Sequence, residues 1–183
     1  MSNTMHPEGS PDSHPELCGV CLRLAAAVCD TVPGQPMVGI ASIEGGILYA
    51  AVASSHRAHL LEEVQLVHLR SPGHDVAAHR RPVLVADLAL ESQWDAAYRD
   101  EMLMLGVRSL YCHPLIPDTD TDTDIEGVVT LYAEHPGTFP VCTGDRLAPF
   151  LSTAAGTLHR IHAHRPRQDD WSPLHSIGGG IAF

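Results

Sequence analysis

The chain has no lysine: all 11 of its basic side chains are arginines, set against 22 acidic ones, for a formal net charge of −11. That balance repels phosphate backbones and anionic headgroups, so no nucleic acid and no membrane surface is expected as a partner. No apolar run reaches the roughly 18–20 residues of a membrane span, because Glu44, Gly45 and Gly46 interrupt the best candidate. Near Met1 there is no basic region followed by an apolar one, which argues against a secretory signal and makes the cytoplasm the expected location. The cysteines Cys18, Cys21, Cys29, Cys112 and Cys142 follow no disulfide-scaffold spacing and are expected as thiols in a reducing compartment. Internal repeats are absent.

What is present suits one globular domain. The 183 residues are enough for a full core, and 44% hydrophobic with 18% charged residues is an ordinary soluble composition. Residues 1–16 read as a disordered leader, with Pro7, Pro11 and Pro15 blocking regular structure. Leu17, Val20, Cys21, Leu24, Val28 and Thr31 then recur at helical spacing, and Pro33-Gly34 ends that helix. Two β-rich runs at 37–43 and 47–54 flank Gly45-Gly46, a hairpin signal. A helix is predicted over 56–66 with Ser55 as its cap, then a helical turn or two at 74–79 and a strand at 82–87. Ser92 and Asp95 have capping spacing, which predicts a helix carrying Trp94, Tyr98, Met102 and Leu105 on one side and stopping at Gly106. Strands at 107–116 and 125–133, joined by an acidic loop, precede a last helix over 145–162. Its seam is Leu147, Leu151, Ala154, Leu158 and Ile161, with Pro149 expected to remove one backbone bond. A polar, then Gly-rich tail follows from 165 to 183. The hairpins make the sheet largely antiparallel. The predicted class is α+β, with terminal helices on one face and connecting helices and loops on the other.

Four segments in this order resemble a GAF domain. They are Arg-Pro-Val-Leu-Val-Ala-Asp-Leu at 81–88, Gly-Val-Arg-Ser-Leu-Tyr-Cys-His-Pro-Leu at 106–115, Gly-Val-Val-Thr-Leu-Tyr at 127–132 and Pro-Gly-Thr-Phe at 136–139. The resemblance spans about 17–164. It implies a small-molecule-sensing or regulatory and dimerising module of bacterial signal transduction, paired through its first and last helices, with any output residing on a separate protein or absent. In one respect the chain departs from the family. Many bacterial relatives carry Gly-Glu-Gly-Pro-Cys before the Arg-Pro-Val strand, where this chain reads Ser71-Pro72-Gly73-His74-Asp75.

Strand alternation places Ser109, Tyr111 and His113 on one face of their strand, and Thr130 and Tyr132 together on the next. With the strands in register, these five are expected to share a polar face looking toward 56–105, where GAF domains hold a ligand. His74, Asp75, Trp94 and Tyr98 are expected to meet them there, completing a candidate ligand-binding set; a filled core with its polar tips bonded to backbone is the alternative. The opposite face, with Leu110 and Cys112, is expected to pack on the terminal helices.

Other constellations read as packing or surface. Cys112 and His113 are neighbours on a strand and point apart, so they form no thiolate–imidazole pair. Cys18-x-x-Cys21 lacks a second pair to complete a zinc site. The 13 histidines follow no closed ligand spacing, although His159 and His162 sit one turn apart, and His74, His79 or His113 would be the candidates for haem iron or proton sensing. The acidic run at 118–124 lacks the glycine and twelfth-position glutamate of a calcium loop, and Gly178–Gly180 lacks the strand and helix of a phosphate loop. No metal, no catalytic residue and no specific cofactor is assigned. Three further roles are raised by the resemblance: free methionine sulfoxide reduction, haem or redox sensing, and RNA-linked antitermination. The first needs a cysteine that this chain lacks between Cys29 and Cys112; the last needs a helical module of roughly fifty residues, against 19 after His164.

Overall fold

The computed structural model describes residues 15–118 and 124–164. The expected leader up to residue 14, the centre of the acidic run at 119–123 and the tail with its glycine run lie outside the described residues. Helix α1 (Pro15–Thr31) begins two residues before the expected start, with Pro15 at a first-turn position where its missing N–H has no partner to lose. Its predicted stripe of Leu17, Val20, Cys21, Leu24 and Val28 is buried. Strands β1 (Met37–Glu44) and β2 (Ile47–Ala53) follow as a hairpin. Gly45 and Gly46 turn it with φ of +57° and +81°, the left-handed pair that a two-residue turn requires.

Helix α2 (His56–Val67) is capped by Ser55, whose side chain accepts from the Ala58 N–H at 3.1 Å. Helix α3 (Pro72–His79), strand β3 (Val83–Val85) and a short 3-10 turn (Leu88–Leu90) come next. Helix α4 (Ala96–Met104) starts after Asp95, not at Ser92 as predicted. The reason lies in α3: Gln93 Nε2 and Trp94 Nε1 both donate to Asp75 Oδ2, at 3.0 and 2.9 Å, and hold that stretch outside the helix. Strands β4 (Ser109–Leu115) and β5 (Gly127–Ala133) and helix α5 (Thr143–His164) complete the order.

The five strands form one sheet in the order β2-β1-β5-β4-β3, with every pairing antiparallel. Helices α1 and α5 cover one face; α2, α3 and α4 cover the other. The architecture is α+β, as predicted.

The sequence motifs around β3 and β4 act as a structural lock. Arg108 grips the Asp87 carboxylate with Nε and Nη2 at 2.9–3.1 Å, and Asp87 Oδ1 also caps the 3-10 turn through the Ala89 N–H. The guanidinium holds the Asp87 carboxyl below the usual range.

The register corrects one expectation. Tyr111 stands opposite Leu131 and His113 opposite Val129, whereas Cys112 stands opposite Thr130 and Leu110 opposite Tyr132. Ser109, Tyr111 and His113 therefore share their face with Val129, Leu131 and Ala133, against the terminal helices. Leu110 and Cys112 face the middle helices with Tyr132 and Thr130. Alternation within each strand was predicted correctly; the phase between them was not. A one-residue slip in pairing exchanges the faces.

Candidate functional site

Under α2 the sheet face carries a polar network made by side chains of α2, α4, β4 and β5. Helix α2 buries Ala58, Leu61, Glu62 and Gln65, a stripe at helical spacing that brings two polar side chains onto the sheet. Gln65 Nε2 donates to Thr130 Oγ1 at 2.9 Å and to the Tyr132 hydroxyl at 3.1 Å. Its Oε1 accepts from the Gly73 N–H at 2.9 Å and from the Tyr98 hydroxyl at 3.5 Å. The Tyr132 hydroxyl in turn donates to Glu62 Oε1. Glu62 is 2% exposed, and a Cβ on Gly39 would come within 2.2 Å of its Oε1, so the missing side chain at 39 makes room for it. Burial pushes the Glu62 carboxyl up from 4.5 to about 7, against the lowering effect of the Tyr132 bond. The Tyr98 and Tyr132 phenols are raised well above their ordinary value by the same desolvation.

Thr130, Tyr132 and Tyr98 thus come together as expected, but as a filled and hydrogen-bonded floor. Glu62 and Gln65 were missed by the sequence reading. The signal was the spacing of Ala58, Leu61, Glu62 and Gln65, which a search for apolar stripes passes over.

Beside this floor lies a cleft of about 750 Å³, bounded by the β1–β2 hairpin, α3 and the segment entering β5. Ile43, Leu48, Leu69 and Ile125 supply apolar wall; His74, Asp75, Asp124 and Glu126 supply the polar groups. Leu69 is 77% exposed, an uncovered apolar side chain on that wall. His74 Nδ1 meets Ser71 Oγ at 3.0 Å, and burial lowers the imidazole pKa, which keeps it neutral at pH 7. His74 and Asp75 of the predicted set line this cleft; Trp94 stands behind Asp75 as a hydrogen-bond donor.

The remaining three candidates lie on the other side of the sheet. The Ser109 hydroxyl donates to the His135 carbonyl at 2.7 Å. Tyr111 and His113, with ring centroids 6.0 Å apart, line a groove of about 580 Å³ against Gly144 and Asp145 of α5. His113 Nδ1 lies 2.8 Å from the Pro114 carbonyl. His74 and His113 therefore cannot serve one bound group. His159 and His162 both turn Nδ1 toward Glu126, one to each carboxylate oxygen, tying the end of α5 to the residue that leads into β5. Among the described residues, no three His, Cys, Asp or Glu side chains are placed to hold a metal ion.

Cys112 is the thiol on the middle-helix face. It is fully buried, 3.4 Å from Thr130 Oγ1, and burial pushes it up to about 12. Cys21, beneath α1, is likewise pushed to about 12. Neither has the depressed pKa and exposure of a nucleophile.

No protein-family model matches the chain, and no curated protein matches it in sequence. Solved structures match its fold. A domain assigned to a two-component sensor histidine kinase of Sinorhizobium meliloti superposes with a TM-score of 0.61 at 13% identity, covering 83% of this chain and 94% of that one. A GAF domain/HD domain protein of Geobacter sulfurreducens gives 0.57 at 12%, covering 81% and 95%. A type II free methionine-R-sulfoxide reductase of Thermoplasma acidophilum gives 0.59 at 12%, covering 79% and 93%. At these identities the likeness establishes the fold alone. That fold is GAF-like, in agreement with the resemblance carried by the sequence motifs.

Proposed function

We propose that this chain is a regulatory module that binds a small molecule in the cleft between the β1–β2 hairpin and α3. The observation that carries the reading is the cleft itself: about 750 Å³, with uncovered apolar wall and a few placed polar groups, which is how small-molecule sites are built. The sheet face beside it is closed by the Glu62–Tyr132–Gln65 network, so binding is assigned to the cleft rather than to the centre of the sheet. A thiol-dependent reductase finds no support in Cys112, whose burial keeps it protonated. We further propose pairing of two copies through α1 and α5, which pack side by side and leave Leu22 of α1 58% exposed. We propose in addition that any output lies on a separate partner and that the chain acts in the cytoplasm. Among the described residues no helix is long and apolar enough to cross a membrane.

Native mass spectrometry of the full chain, followed by amide NMR with a metabolite mixture, tests this reading. The expected result is a two-copy species and ligand-induced shifts at residues 43–48 and 124–126. A bare monomer whose cleft amides ignore every component would end it.

A further inference from the structure

The cleft carries information about the charge of its occupant. Among the described residues its lining includes Asp75, Asp124 and Glu126 but no arginine, and the chain contains no lysine. Arg80, which follows α3, is committed to Asp124 Oδ1 at 2.7 Å. The carboxylates are not equivalent. Glu126 spends both oxygens on His159 and His162. Among the described residues, the Asp75 carboxylate accepts from two neutral donors, the Gln93 amide and the Trp94 indole, and both bind the same oxygen, Oδ2. These donors fix the carboxylate without neutralising it. His74 beside it is held neutral by burial and adds no positive charge. The apolar side chains Ile43, Leu48, Leu69 and Ile125 share the same space.

An anion entering this cleft meets like charge with no cation to receive it, whereas a cation with a hydrocarbon body meets complements to both of its parts. We propose that the cleft selects a small organic cation, a primary amine or guanidine on an apolar body, with the Asp75 carboxylate receiving the charged head. Ile43, Leu48, Leu69 and Ile125 cover the hydrocarbon. The inference rests on the cleft being the ligand site, and the test separates the two claims.

Amide NMR titrations of the full chain use three probes of matched shape: phenethylamine, 2-phenylethanol and phenylacetate. Phenethylamine is expected to shift the amides of 43–48 and 124–126 and to bind more tightly than the other two by about two- to fivefold, the contribution of a partly exposed ion pair. Asp75→Asn keeps an acceptor for Gln93 and Trp94, and is expected to remove that preference, bringing phenethylamine to the affinity of 2-phenylethanol for the same variant. Equal or tighter binding of phenylacetate or 2-phenylethanol in the cleft overturns the charge selection and leaves the ligand site standing. An amine preference that survives Asp75→Asn overturns the role of Asp75. No response of the cleft amides to any probe overturns both claims.

Discussion

Replacing Glu62 by glutamine should make this protein more stable at alkaline pH and remove much of its pH dependence. Glu62 is buried, it accepts a hydrogen bond from the Tyr132 hydroxyl, and its carboxyl rises from 4.5 to about 7. For an acid with a raised pKa, the fold favours the protonated form. The stabilising contribution is complete below pH 4.5 and drains away as pH climbs toward the folded value near 7. At 1.36 kcal/mol per pKa unit, that rise corresponds to about 3 kcal/mol lost between mildly acidic and alkaline pH. Glutamine is close in shape and uncharged, so this contribution vanishes, although its amide N–H groups need acceptors of their own. The robust quantity is therefore the change in the mutant-minus-wild-type difference between pH 5 and pH 8, roughly 2–3 kcal/mol in favour of the mutant. For a chain of this size that shifts the relative melting temperature by roughly 5–10 °C. Urea unfolding of both proteins at several pH values, under reductant, reads the difference, and unrelated titrations cancel in it. Parallel stability curves for the two proteins would refute the picture of a buried, charge-sensitive Glu62.

The space at Gly39 gives a second prediction: Gly39→Ala drives a Cβ to within 2.2 Å of Glu62 Oε1 and should destabilise by about 1–3 kcal/mol. In a Glu62→Ala background the same change should be nearly silent, and an unchanged penalty in a double-mutant cycle would refute the contact. Cys112 and Cys21, both pushed to about 12, should resist a thiol reagent at pH 8 in the folded protein, whereas exposed Cys29 reacts. Robust thiol-dependent turnover of free methionine sulfoxide, abolished by Cys112→Ser, would contradict the same reasoning.

The architecture was legible because it depends on local periods. The stripe of α1, the Ser55 cap and the Gly45-Gly46 turn are each written within a few residues, and each stands where expected. Ser109, Tyr111 and His113 show where such reading stops. Their alternation is local, but the face they occupy depends on pairing with β5 across a loop, and Tyr111 proves to lie opposite Leu131. Trp94 illustrates a second limit: Asp75, distant in sequence, draws it away from the helix start that Ser92 and Asp95 imply. His74 and Asp75 reached the cleft because α3 lies beside the hairpin, while Glu62 and Gln65 were hidden by being polar on a buried stripe.

Strand β5 has a mechanical consequence. All seven of its residues are buried, between β1 and β4, and successive side chains alternate between the two cores. Val129 and Leu131 press on the layer of α1 and α5, while Thr130 and Tyr132 are grasped from α2 by Gln65. A close-packed interior leaves no slack to absorb a shift. Any displacement of α2 therefore bears directly on Thr130 and Tyr132, and their neighbours Val129 and Leu131 carry the same strand's contact with the far layer.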